Sequence, residues 1–168
     1  MTRVYIPATI EILQHLVAEQ EFDPMSRTAF AVTAGLREAY ASGDDDELAE
    51  VAMGEAARAS LRLIAGRVAE AAHVFHRRAV VAADVEGVTA RPDLDDAVVR
   101  LPAPVQLSQV ASVHVDLAEA EPDIERAVAV IDEADLGDPD AEFVLGDAED
   151  HVLAWYATQE LPFLVELM

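Results

Sequence analysis

Histidine and aspartate sit two residues apart in Val110-Ala111-Ser112-Val113-His114-Val115-Asp116, the best alternating segment of the chain. In a strand that alternation puts Ser112, His114 and Asp116 on one face and Ala111, Val113 and Val115 on the other. An aspartate beside a histidine can fix its tautomer and raise its basicity, as general-base or ligand chemistry requires. The same parity sets Arg3 and Tyr5 opposite Val4 and Ile6, Arg78 opposite Ala79 and Val81, and Tyr156 opposite Trp155. If helices cover the Val113/Val115 face, then Arg3, Tyr5, Arg78, His114, Asp116 and Tyr156 converge on an open sheet face. Same-side neighbours on a strand lie about 7 Å apart, twice the rise per residue, so the spacing alone does not give a direct His114–Asp116 hydrogen bond.

A hard or borderline cation would need further ligands, and Asp150 and His151 are the candidates, in a loop that would have to fold back over the sheet. Nothing in the sequence enforces that, and no metal is assigned. Glu70-x-x-His73 has the helical spacing of a carboxylate-bridged metal bundle, but only one copy is present. His73-x-x-His76 offers two nitrogens, too few to close a site. Glu149-Asp150-His151 after Asp147 lacks the spacing and glycine of a calcium loop. There is no cysteine, no G-x-G-x-x-G, no G-x-S-x-G and no H-E-x-x-H. Thiolate chemistry is thereby excluded, nucleophilic acyl transfer and zinc-protease chemistry have no motif to carry them, and no cofactor is expected.

The elements that must position these side chains follow from periodicity. Residues 2–7 read as a strand ended at Pro7, and Thr9 caps a helix over about 9–20 with Ile10, Leu13, Leu16 and Val17 on one face. Residues 21–32 read as a loop with a short extended piece at Phe30-Ala31-Val32. Thr33 caps a short helix. A long helical region then opens on Asp44, Asp45, Asp46 and Glu47, where the helix dipole favours acid. Its seam is Ala57, Leu61, Ile64, Val68, Ala71 and Phe75. Strands are expected at 79–85, briefly at 97–101, at 110–117 and, over a short helix, at 152–158. Between the last two, Pro122 and Gly137 bracket a helix, and an acidic loop follows. The apolar last nine residues are expected to dock on the body. The order is β-α-(helices)-β-β-α-β: an α+β, ferredoxin-like split sheet with a helical insertion at about 33–76, all in one domain over 1–168.

Charge narrows the partners. The 33 acidic and 11 basic residues give −22, and every basic residue is arginine. A surface this negative repels phosphate backbones, so nucleic acid is not an expected partner. The opening Met1-Thr2-Arg3-Val4-Tyr5-Ile6-Pro7 lacks the pattern of a secretion signal, and the stretch from Leu101 to Val115, free of formal charge, is too short and polar to span a bilayer. A cytoplasmic, membrane-free protein is expected. The acidity and the absence of lysine and asparagine fit either a GC-rich genome or a salt-adapted proteome.

Three segments, Arg3-Val4-Tyr5-Ile6-Pro7-Ala8-Thr9, Val110 to Asp116 and Trp155-Tyr156-Ala157-Thr158-Gln159-Glu160-Leu161, resemble a family of uncharacterised actinobacterial proteins. The resemblance covers most of the chain. It implies a high-GC source, favours the genome explanation of the charge, and supplies no activity, ligand or site.

The expectation is therefore a non-enzymatic binding or regulatory domain. Its partner would be a protein or a second copy, docked on an open sheet face made partly apolar by Tyr5, Val80, Val110 and Tyr156. The alternatives are a metal-assisted hydrolase using His114 and Asp116 with Asp150 and His151, and an acidic DNA-mimic interaction protein.

Overall fold

The computed structural model describes residues 1–70 and 73–168. In chain order the elements are β1 (Thr2–Ala8), α1 (Ile10–Glu19), β2 (Glu21–Phe22), β3 (Thr28–Phe30), α2 (Ala34–Ala39), α3 (Asp45–Val68), β4 (Ala79–Val85), β5 (Thr89–Ala90), β6 (Val98–Arg100), β7 (Val105–Gln106), β8 (Val110–Val115), α4 (Glu121–Asp135), α5 (Pro139–Glu149), β9 (Ala154–Ala157) and α6 (Leu161–Glu166). The class is α+β, and the sheet order is β5-β6-β3-β1-β4-β8-β9 with antiparallel neighbours throughout. The five strands read from the sequence all join it, the brief one at 97–101 as β6. Their arrangement is not the ferredoxin-like split, which would set the first strand between the third and fourth. Instead β1, β4, β8 and β9 lie side by side in chain order. Local alternation defines each strand but does not choose its neighbours.

Helix starts follow the capping residues. Thr9, Thr33 and Asp44 each accept a hydrogen bond from the third residue on, at Ile12, Leu36 and Glu47. Gln20 closes α1 in the left-handed region, its N–H donating to the Leu16 carbonyl at 2.9 Å. Helix α4 begins with proline in its first turn and is followed by Gly137 at φ +92°. The expected acidic loop after it is in fact helix α5. Asp138 caps it, Pro139 opens it, and Ala141, Leu145 and Ala148 are buried against α4.

Two layers of helix flank the sheet. Ile10, Leu13 and Leu16 of α1 and Leu161 and Leu164 of α6 pack with Val4, Ile6, Val81, Val113 and Val115 on one face. Each fully buried Leu or Ile there contributes roughly 1.5–3 kcal/mol of transfer free energy. The expected docking of the last nine residues is thus realised as α6. On the other face lies α3, whose Leu48, Ala52, Ala56 and Ala57 meet Phe30, Val80 and Val98. The small residues let the helix come close enough for a direct polar clasp. Ser60 Oγ donates to the Ala8 carbonyl at 2.7 Å and accepts from the Ala79 N–H at 3.1 Å. Further along α3, Leu61 and Ile64 form a second core with α4 and α5.

Helix α3 stops at Val68, which is 49% exposed, and not near residue 76. The helical spacing of Glu70, His73 and His76 is therefore not realised. Phe75 packs instead with the α1 side of the sheet, and the expected seam position Ala71 lies outside the described residues. No helix among the described residues is long and apolar enough to cross a membrane.

Candidate functional site

The face expected to be open is largely covered. Val80 is fully buried and Tyr5 packs with the α2/α3 cluster. Two other expected members of that face lie on the opposite one. Tyr156 is the cross-strand partner of Val113, so Trp155 and not Tyr156 stands beside His114. Val110 belongs to the α1-side core because an extra residue, Ala111, bulges out of β8 between the pairs Ala82–Ser112 and Ala83–Val110. A bulge reverses the alternation beyond it. The surface on which a second copy was expected to dock is therefore mostly the bed of α3.

Arg3 lies at the margin of that face and pairs across strands with Asp84, Nε to Oδ1 at 2.8 Å and Nη2 to Oδ2 at 3.2 Å. The pair holds the Asp84 carboxyl below its ordinary value.

Arg78 and Asp116 come together, but as a buried pair. Arg78 Nε and Nη2 donate to Asp116 Oδ2 and Oδ1, both at 2.8 Å, and the Arg78 backbone N–H also donates to Oδ2 at 2.8 Å. Their side chains are 5% and 0% exposed. Arg78 Nη2 donates further to the His151 carbonyl at 2.9 Å. Asp116, one residue past β8, thus faces Arg78, one residue before β4, and not His114. His114 shares its nitrogen Nε2 with Ser112 Oγ at 3.0 Å. Burial, with the Arg3 charge adding to it, pushes its pKa below the ordinary histidine value.

His151 bonds through Nε2 to Asp123 Oδ2 at 2.7 Å, and Asp123 also accepts from Arg126. Asp150 is exposed at the end of α5. Three of the four candidate metal ligands, His114, Asp116 and His151, are thus engaged separately, and Asp150 stands exposed apart from them. Among the described residues no three His, Asp or Glu side chains are placed to hold an ion.

What the structure does bring together is a cleft of about 660 Å³ between the middle of α3 and the margin of the sheet at β8 and the chain entering β9. Arg78, His114 and His151 line it from the sheet side, Glu50, Glu55 and Arg58 from α3, and Glu149 from α5, with Val51, Met53, Leu61 and Leu153 as apolar wall. Its size falls within the range of about 300–1,000 Å³ usual for small-molecule sites. Arg78 Nε and Nη2 are engaged, while Nη1 has no hydrogen-bond partner among the described residues. Arg78 thus presents one guanidinium nitrogen to the cleft while the other two are held. Arg58 is occupied otherwise. Its Nη2 donates to Asp135 at 3.0 Å and to Glu142 at 2.8 Å, and Nη1 lies 3.9 Å from Glu149. Burial pushes the Glu55 carboxyl above its ordinary value, and the nearby Asp95 charge adds to this.

Arg78 and His114 were legible as site candidates from the sequence. Glu50, Glu55, Arg58 and Glu149 were not, because their contribution depends on where α3 and α5 pack. A second cavity of about 670 Å³ lies between α1 and α3, lined by Ile12, His15, Phe22, Met25 and Leu63, and it is predominantly apolar.

No curated protein and no solved structure shows a match to the chain. One family does: residues 2–165 match DUF6912, a family of unknown function. The match spans nearly the whole sequence, in keeping with the likeness carried by its opening, middle and closing segments, and the chain belongs to that family.

Proposed function

We propose that this is a non-catalytic domain that binds a small molecule in the cleft between α3 and the β8–β9 margin. The observation that carries the reading is Arg78. Asp116 holds two of its guanidinium nitrogens in a buried, fixed geometry, and the third is left for the cleft. Pre-organisation of this kind serves binding, since no reorganisation is required when the ligand arrives.

A catalytic reading lacks comparable support. His114 bonds to a serine and not to the aspartate that would make it a base, and Asp116 and His151 of the hydrolase alternative are engaged with Arg78 and Asp123. A second copy is a less favoured occupant, because two chains of −22 repel one another at close range.

The test uses a neutral probe, so that charge plays no part. Isopropanol is titrated into nitrogen-15-labelled protein and backbone amide shifts are followed. The reading expects saturable shifts at Met53, Gly54, His114 and Leu153. Shifts confined to other surfaces, or a linear drift everywhere, would contradict it.

A further inference from the structure

The cavity between α1 and α3 takes apolar walls from Pro7, Ile12, Phe22, Met25 and Leu63. A hollow of about 580 Å³ adjoins it and shares Ile12, His15, Met25, Arg62 and Leu63. Walls of this kind suit the body of a hydrophobic ligand, and a few placed polar groups then fix its orientation. One side of the rim is the chain from Pro24 to Ser26. Ser26 and Arg27 lie there at φ +55° and +51°, a left-handed conformation that residues with a side chain seldom take twice in succession. Arg27 is fastened in place: its Nε donates to Asp23 at 3.0 Å and its Nη1 to the Pro102 carbonyl at 3.1 Å. The turn so held keeps Met25 at the cavity, 74% exposed and outside the core. A methionine there offers a flexible, polarisable surface that adapts to varied apolar shapes.

The polar signal is Glu11, in the first turn of α1. Its Oε2 is one of two side-chain polar atoms among the described residues that are buried with no hydrogen-bond partner, and Glu11 lines the adjoining hollow. A buried acceptor left unmatched is rare, because the bonds it made to water are lost with nothing in exchange. It calls for a donor. Ligand charge is not selected in the same way, since Arg62 and Arg67 line the hollow together with Glu11 and Glu70. A cation there meets two arginines, and an anion meets two glutamates.

We infer that the α1/α3 cavity is a second binding site, for an uncharged, largely hydrocarbon molecule that carries a hydroxyl. The hydrocarbon body lies along Ile12, Phe22, Met25 and Leu63. The hydroxyl donates to the Glu11 carboxylate, whose unmatched oxygen is brought to it by rotation about the soft terminal torsion of the side chain. Phenols and alcohols have the required form. This site shares no lining residue with the cleft between α3 and the β8–β9 margin, so the two are tested apart.

Three probes of one shape test this: para-ethylphenol, para-ethylanisole and para-ethyltoluene, of which only the first has a donor. Binding is followed by the backbone amide shifts of Ile12, His15, Met25 and Leu63 in nitrogen-15-labelled protein. All three should give saturable shifts there. The phenol should bind about tenfold or more tighter than the other two, the order of one hydrogen bond to a charged group. In Glu11→Met, which keeps the length and removes the acceptor, that preference should vanish while para-ethyltoluene binds as before. Thermal melts show that the variant is folded, and the order of the probes on the parent is decisive by itself. Equal binding of the three, or tightest binding of the anisole or the hydrocarbon, would overturn the hydroxyl assignment. So would a preference that survives Glu11→Met in folded protein. Absence of saturable shifts at these amides would overturn the site itself. None of these results bears on the cleft, which reads out at Met53, Gly54, His114 and Leu153.

Discussion

At the scale of single residues, the Arg78–Asp116 pair is a buried ion pair with both side chains withdrawn from solvent. Both charges are withdrawn from water, and the pair is tolerable only because each carboxylate oxygen and three donors of Arg78 are matched. Removing one partner leaves the other charge buried alone, at a cost of about 3–5 kcal/mol. Asp116→Ala should therefore lower unfolding free energy in urea by that order. The Arg78→Met/Asp116→Leu double variant should recover most of the loss and bind no ligand in the cleft. A single variant as stable as the parent would contradict the buried pair. His114 gives a second residue-level prediction. Its folded pKa lies below the ordinary value of 6.5. As pH falls below 6.5, the unfolded chain takes up the proton before the folded one does, so stability is lost across that window. His114→Gln should remove this share of the acid sensitivity, and the His114 ring carbon resonances should titrate below 6.5. A midpoint above 6.5 would contradict the burial.

Elements were legible in the sequence wherever the signal was local. Strands β1, β4, β8 and β9 and the caps of α1, α2 and α3 follow from alternation and from Thr9, Thr33 and Asp44. Helix α5 was missed because six acidic residues between Asp138 and Asp150 read as solvated loop. The signal was present in Asp138-Pro139 as a start and in Ala141, Leu145 and Ala148 at helical spacing. Strand order, the Ala111 bulge and the register that pairs Trp155 with His114 are set by contacts between distant segments, so parity within one strand cannot supply them. The face bearing His114 was correctly split from the Val113 face, but its lid was invisible, since the small residues of α3 give no strong amphipathic signal. That lid is testable at Ser60. Ser60→Ala would leave the Ala79 N–H and the Ala8 carbonyl without their shared partner. Each buried group left unpaired costs about 1–3 kcal/mol, so a loss of that order is expected in denaturant unfolding. A neutral effect would mean that α3 does not clasp the sheet there.

For the whole molecule, the net charge of −22 and the cleft bear on one another. The chain is strongly acidic throughout, and the cleft is where carboxylates, an apolar wall and the anchored Arg78 meet. The central claim is that this cleft, roofed by α3, is where the protein binds its ligand. Gly54 offers the most direct test. It lines the cleft from the middle of α3, and an added Cβ there would meet nothing within 4 Å. A larger side chain can thus fill the cleft without straining the backbone, and replacing glycine by phenylalanine in a helix interior favours stability by roughly a few tenths of a kcal/mol. The measurement is the dissociation constant of isopropanol, followed by backbone amide shifts, for the parent and for Gly54→Phe, with thermal melts of both. The account predicts binding weakened by about tenfold or more, the equivalent of 1.4 kcal/mol, with a melting temperature equal or higher in the variant. Unchanged affinity in a folded Gly54→Phe protein would place the ligand elsewhere and contradict the account.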